Sequence, residues 1–240
     1  MTSPKYKRVL LKLSGEALVG NKKYGIDDTI IKEFASQISL VQKEKIELII
    51  VIGGGNFFRG SDLEKLGIQR VTADHMGMLA TVTNSLALQS SIEQLNVQCR
   101  VMSSITIDAV WEKYIKRKSE RHLEKGRVII LAAGTGNPYF TTDSAASLRA
   151  IELNAHIMLK GTKVDGIYDK DPVKNSDAVL YQSISYSEIL KNNLEVMDAT
   201  AVIMCKENNM PLKVFNILKK GSLKKAILSD KIGTIIGWSW

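Results

Sequence analysis

The 240-residue chain predicts an α/β fold, a three-layer sandwich in which a mainly parallel sheet carries helices on both faces. Three observations lead there. Short β-branched apolar runs alternate with helical patterns along the whole length. The run Leu48–Ile52 is almost wholly apolar, as a strand covered on both faces must be. The chain has only four prolines and shows no linker, repeat or low-complexity segment, so a single domain over residues 1–240 is expected.

The elements follow in order. Val9–Lys12 forms the first strand and Asp28–Lys43 the first helix, with Leu48–Ile52 as the second strand. After a glycine-rich turn, His75–Leu95 carries Met76, Leu79, Val82, Leu86 and Leu88 near helical spacing. Gln98–Met102 and Val128–Ala132 are further strands. The basic stretch Lys113–Lys125 between them is broken by Glu120 and Glu124 and reads as a charged helix face or connection. Asp143–Leu153 is a helix and His156–Lys160 a strand; helices are expected near Tyr186–Leu190 and Ala199–Asn208. The strands Lys213–Asn216 and Gly233–Ile236 complete the set.

Composition excludes whole classes. Lysine and arginine number 33 against 25 acidic residues, a net charge of +8, with 45% hydrophobic and 24% charged residues. Those fractions describe a globular protein rather than a disordered, collagen-like or disulfide-stapled one. Cys99 and Cys205 lack CxxC spacing, which argues against structural zinc and suits a reducing, cytoplasmic setting. No segment approaches the roughly 20 apolar residues that cross a bilayer, and the polar Met1–Lys7 is no signal peptide, so no membrane partner is expected. The basic stretches lack the interleaved aromatics of single-strand binders, so a nucleic-acid partner is not expected either.

In such sheets ligands sit beyond the carboxyl ends of the strands, and three strands end in turns suited to anions. The first reads Lys12-Leu13-Ser14-Gly15, a point charge beside small residues whose N–H groups can approach phosphate. The second reads Gly53-Gly54-Gly55-Asn56-Phe57-Phe58-Arg59-Gly60; glycines allow close backbone approach, and Arg59 adds a planar fork for phosphate oxygens. The third runs Gly134-Thr135-Gly136-Asn137-Pro138-Tyr139-Phe140-Thr141-Thr142-Asp143, with more hydroxyl and amide groups than a helix cap requires. Thr142 or Asp143 is the expected cap.

Two common phosphate motifs are absent. Gly20 to Gly25 has the glycine spacing of a Walker A loop, but Ile26 and Asp27 stand where Lys and Ser/Thr are required. Neither glycine cluster completes G-x-G-x-x-G, because Phe58 and Tyr139 fill the last position. The three histidines show no metal-ligand spacing, and no metal site is expected in the chain itself.

Taken with Asp74-His75-Met76-Gly77-Met78-Leu79-Ala80-Thr81, Lys163-Val164-Asp165-Gly166-Ile167-Tyr168, Asp171-Pro172 and Val196-Met197-Asp198, these turns resemble the amino acid kinase superfamily, and within it the bacterial uridylate (UMP) kinase family. The match runs from about Tyr6 to Ile236. It implies an amino acid kinase-like fold and transfer of the ATP γ-phosphoryl group to UMP, giving UDP and ADP, with Mg²⁺ bound with ATP. Lys12, Arg59, Asp143 and Asp198 would be catalytic. Lys12, Leu13, Ser14, Gly15, Gly55, Arg59, Thr162, Tyr168 and Asp171 would hold ATP. Gly54, Asp74, Thr135, Gly136, Asn137, Pro138, Tyr139, Phe140, Thr141 and Thr142 would hold UMP, with Asp74 on the ribose. The N-terminal part would thus form mainly the UMP side and the C-terminal part mainly the ATP side.

The resemblance also implies a homohexamer built from dimers and inhibition by UTP. Gln89 and Glu93 stand where the family often places Arg and His for GTP, although Arg100 and Arg127 remain, so GTP activation is expected to be weak or absent. Two competing readings share the fold. A sibling kinase would phosphorylate a carboxylate, carbamate or another phosphate. A nucleotide-sensing protein would bind without turnover, but it would not require Lys12, Arg59, Asp143 and Asp198 together. Asp198 also precedes the apolar run Ala199–Met204 and can serve as a helix N-cap.

Overall fold

The computed structural model describes residues 5–58, 63 and 65–237. Among them, nine strands form one sheet in the order β4-β3-β5-β2-β1-β6-β8-β9-β7. These are β1 (Arg8–Leu13), β2 (Glu47–Ile52), β3 (Cys99–Ser103), β4 (Glu112–Lys113), β5 (Val128–Ala132), β6 (Ile157–Thr162), β7 (Ser183–Ser185), β8 (Leu212–Asn216) and β9 (Thr234–Gly237). Every pairing is parallel except β8 with β9. A mainly parallel sheet covered on both faces is the predicted architecture.

The helices divide between the faces. Helices α1 (Asp28–Gln42), α2 (Arg70–Glu93) and α7 (Ser222–Leu228) cover one face, where Phe34, Ile38, Leu88 and Leu223 meet Val9, Leu11 and Leu13 of β1. Helices α3 (Lys116–Glu124), α4 (Thr142–Glu152), α5 (Tyr186–Lys191) and α6 (Ala199–Glu207) cover the other, where Ala146, Ala150, Ile189 and Val202 meet Leu10 and Met158. The alternation of side chains along β1 therefore feeds two cores. This is why the central strands read as unbroken apolar runs.

The structure moves some predicted boundaries. Helix α2 starts at Arg70, five residues before the expected His75, because Gln69 marks the entry without a side-chain cap bond. The strand expected to end at Lys160 continues to Thr162. Helix α7 carries no sequence prediction at all. Its N-cap position is Gly221, in the left-handed region (φ 71°), so no local side chain can cap it. The cap comes instead from α1. Gln37, buried to 1% exposure, accepts from the Leu223 N–H at 3.0 Å and donates to the Ile217 carbonyl at 2.9 Å.

Gln37 therefore joins α1 to the connection between β8 and α7. Replacing it by leucine leaves a buried N–H and a buried carbonyl without partners, each a desolvation cost of about 1–3 kcal/mol. Gln37→Leu is expected to lower the urea midpoint by that order at unchanged slope; an unchanged midpoint would show that these bonds contribute nothing net.

Candidate active site

The carboxyl ends of β1, β2, β5 and β6 converge, and the turns that leave them form the site. In β1 and β6, Lys12 is in register with Lys160, so the parallel ladder aims both side chains at the same face. Both meet one carboxylate. Asp143, in the first turn of α4, lies 2.8 Å from the Lys12 ammonium through Oδ1 and 2.7 Å from the Lys160 ammonium through Oδ2. Lys160 also donates to the Val196 carbonyl at 2.5 Å. At 2.8 Å the Lys12 contact is a close ion pair.

Burial and charge compete here. Burial alone would raise the Asp143 carboxyl, but Lys12 and Lys160 hold it below the usual carboxylate range. Burial pushes the Lys160 ammonium below the usual lysine value against the pull of Asp143, and the charge of Lys12 pushes the same way as burial.

A second carboxylate works differently. Asp198 caps α6 by accepting from the Ala201 N–H at 3.0 Å, and it also accepts from Ser144 Oγ at 2.9 Å and from Thr141 Oγ1. Thr141 is the residue that caps α4, accepting from the N–H groups of Asp143 and Ser144 at 3.1 and 3.2 Å. The cap expected at Thr142 or Asp143 thus sits one residue earlier, which frees the Asp143 carboxylate for the lysines.

The glycines have a packing reason. A Cβ on Gly15 would stand 2.5 Å from the Gly53 carbonyl oxygen and 2.7 Å from the Gly55 nitrogen. One on Gly54 would stand 2.7 Å from the Gly77 carbonyl oxygen in α2. The β1 and β2 turns therefore touch backbone to backbone, tied by the Gly53 N–H to the Leu13 carbonyl at 2.9 Å. Leu13 itself is fully buried, so its side chain belongs to the core and only its backbone faces the site.

The β5 turn is held in unusual backbone. Ala133 (φ 62°) and Gly134 (φ 57°) are successive left-handed residues, and the Ala133 N–H is held by Thr81 Oγ1 at 2.8 Å. Such conformations cost of order 1–3 kcal/mol outside glycine and persist where surrounding contacts impose them. Further along, Tyr139 (φ 70°) donates its N–H to Asp74 at 2.7 Å, and Asp74 also accepts from Arg70. Sequence reasoning missed the support beneath this turn. Arg149, 8% exposed, donates to Ser104 at 3.1 Å, and Ser104 donates to the Gly134 carbonyl at 2.8 Å. The Tyr114 ring stacks on that guanidinium at 3.8 Å.

Two clefts open near the Lys12–Asp143–Lys160 bridge, the smaller lined by Thr142 beside Asp143 and the larger by Lys160. One, of about 150 Å³, is lined by Gly54, Gly55, Asp74, Thr135, Phe140, Thr141 and Thr142 among others. Gly136, Asn137, Pro138 and Tyr139 belong to the same turn but do not line it. The other, of about 560 Å³, brings Lys160 together with Thr162, Tyr168 and Asp171. Arg59 lies outside the described residues, as does Gly60. Lys160 is the residue that sequence reasoning missed. Its signal was a lysine inside an apolar strand, and its meaning depends on register with Lys12.

Among the described residues no group of three or more His, Cys, Asp or Glu could hold a metal ion. Asp143 is committed to two ammonium groups and Asp198 to three donors.

The bridge makes a pH prediction. Asp143 is held below its ordinary value of 3.8, so its ionised form stabilises the fold above that pH, and the contribution disappears as pH falls through the lowered native value. Asp143→Asn, which leaves two buried cations facing a neutral amide, is expected to melt below wild type at neutral pH. The gap should close as both proteins are acidified below about pH 4; equal melting at neutral pH would show that the bridge adds no stability.

The sequence matches known proteins over nearly its whole length. The model of the amino acid kinase family matches residues 7–216. The uridylate kinase of Dichelobacter nodosus (strain VCS1703A) is 53% identical over 233 residues, covering 97% of each chain. That of Methylococcus capsulatus (strain ATCC 33009 / NCIMB 11132 / Bath) is 52% identical over 236 residues, covering 98% of this chain and 99% of the relative. Among solved structures, UMP kinase from Bacillus anthracis superposes with a TM-score of 0.94 at 38% identity, covering 97% of this chain and 96% of that one. UMP kinase from Ureaplasma parvum gives 0.92 at 41% identity, covering 98% and 100%. The Archaeoglobus fulgidus uridylate kinase gives 0.73 at 26%, covering 95% and 99%. With a family model spanning most of its length and relatives this similar end to end, the chain belongs to the amino acid kinase family, in its uridylate kinase branch.

Proposed function

We propose that the chain is a UMP kinase that transfers the γ-phosphoryl group of ATP to UMP, giving UDP and ADP for pyrimidine nucleotide biosynthesis. The observation that carries this reading is a pair of clefts, one lined by Thr142 beside Asp143 and the other by Lys160, next to one carboxylate shared by two ammonium groups. The smaller cleft, with Asp74 and the Thr135–Thr142 turn, takes UMP; the larger, with Thr162, Tyr168 and Asp171, takes ATP. The N-terminal part of the chain thus serves mainly the acceptor and the C-terminal part mainly the donor.

The chemistry asks little covalent work of the protein. The UMP phosphate is already ionised at neutral pH, so no strong general base is required, and catalysis rests on positioning and on offsetting charge in the transition state. Lys12, paired with Asp143, supplies a point charge that offsets charge on the moving phosphoryl group. Ser14, Gly15 and Gly55 present small backbone units to the same space, and Arg59 adds a planar cation. Asp143 orients Lys12, and Asp198 fixes the start of α4. Mg²⁺ enters with ATP and supplies further charge neutralisation on its phosphates.

The family resemblance also supports a homohexamer and inhibition by UTP. GTP activation is a separate matter. Glu93 lies 3.4 Å from Gln89 and 3.5 Å from Arg100, so the carboxylate occupies the nearby cation. Arg127 is bonded to Gln98 and His122. Titration with GTP is expected to change turnover by less than about twofold, because a triphosphate must displace Glu93 from its cation; several-fold stimulation would overturn this.

The primary experiment is ATP-dependent ADP release with UMP, CMP, dUMP and small carboxylates offered separately, with and without Mg²⁺. UMP-selective, Mg²⁺-dependent turnover is expected, and activity on a carboxylate would reassign the acceptor. Lys12→Ala should lower kcat by about 10²–10³-fold, the usual cost of losing one charge-stabilising donor. Near-normal turnover would remove Lys12 from the mechanism.

A further inference from the structure

We infer that Lys160 is a phosphate-binding residue whose ammonium group contacts the phosphate chain of the nucleoside triphosphate, on the donor side of the carboxylate it shares with Lys12. The inference rests on the kinase reading above and adds a residue to it.

Two observations converge. The first is position: Lys160 lines the 560 Å³ cleft, on the same strand as Thr162, and does not line the smaller one. The second is hydrogen-bond capacity. An ammonium group carries three N–H donors, and Lys160 uses two of them, toward Asp143 at 2.7 Å and the Val196 carbonyl at 2.5 Å. Among the described residues nothing accepts the third. The side chain is only 14% exposed, so solvent is a poor substitute for the missing acceptor.

Two ammonium groups and two carboxylates, Asp143 and Asp198, share this region, so its charges balance before an anion arrives. A lysine whose only task was to tie α4 to the segment at Val196 would not leave a third donor beside a cleft. The two ammonium groups then divide the work. Lys12 stands between donor and acceptor, and Lys160 anchors the donor alone.

The test is direct binding, which needs no acceptor. Affinity for the non-hydrolysable β,γ-imido analogue of ATP, with Mg²⁺, would be measured by calorimetry for wild type, Lys160→Met and Lys160→Gln. Methionine keeps the volume of the stem; glutamine keeps a donor for Val196 or Asp143. Each neutral variant is expected to bind the analogue about 10- to 100-fold more weakly, the range for one hydrogen bond to a charged group. UMP affinity should stay within about threefold.

Lys160→Arg supplies a third arm if both neutral variants fail to fold. It keeps the charge and is expected to retain analogue binding within about tenfold, while loss of binding by this variant in folded form would overturn the assignment to a charge contact. Unchanged analogue affinity in a folded neutral variant would overturn the proposal, as would an equal loss of UMP affinity. Wild-type protein that binds the analogue through Lys160 but turns over no UMP would uphold this assignment while removing the acceptor reading.

Discussion

The site depends on one shared carboxylate. Asp143 accepts two ammonium groups from adjacent strands, and the register of β1 with β6 is what delivers both to the same point. A shift of one residue in that ladder would send one lysine to the opposite face, into the core that holds Leu11 and Leu159. The apolar residues flanking Lys12 and Lys160 fix the register by filling two cores at once. The burial that stabilises the fold is therefore also what aims the charges. Because the lysines stand near the carboxyl ends of parallel strands, Lys160 reaches an open cleft from a largely buried position.

Much of the fold was legible because it is written locally. Apolar runs of strand length and helical periodicity placed the long elements, and in the structure Asp27 caps α1 through the N–H groups of Thr29 and Ile30, a local signal beside the predicted start. What was not legible was written elsewhere in the chain. Helix α7 has seven residues, a glycine where its cap should be, and a capping group on α1 more than 180 positions away. Helix α2 begins without a side-chain cap, so its first turn gave no signal. These omissions share one cause, which is that long-range contacts replaced local propensity.

The candidate site was legible in the same uneven way. The glycine turns pointed to the right place, but for a partly different reason. Gly15 and Gly54 must be small because neighbouring backbone would collide with a Cβ, and only the surface left over is available to a ligand. The turn residues Asp74 and Thr135 do meet around one cleft, whereas Asn137 and Pro138 lie beside it. Lys160 was hidden because a lysine at the end of an apolar strand reads as a strand terminus. The buttress of Arg149, Ser104 and Tyr114 was hidden because it joins three segments, none of which carries a motif.

Two acidic residues beside a site for phosphate chains pose an electrostatic problem, and their different partners resolve it. Asp143 is paired with cations, whereas Asp198 keeps its charge and is held by neutral donors, one backbone N–H and two hydroxyls. The second arrangement costs no cation. Asp198 sits at the N-terminus of α6, where the helix dipole favours a negative charge, and its bonds to Thr141 and Ser144 tie that end to the start of α4. Helix α4 in turn presents Asp143 to the lysines. The capping role and the site role of Asp198 are thus one contact seen from two sides. It fixes the helix whose first turn carries the shared carboxylate, and its own charge also attracts the Lys160 ammonium. The two carboxylates thus balance Lys12 and Lys160 while leaving the lysines, not the acids, as the groups that can turn to a passing phosphoryl group.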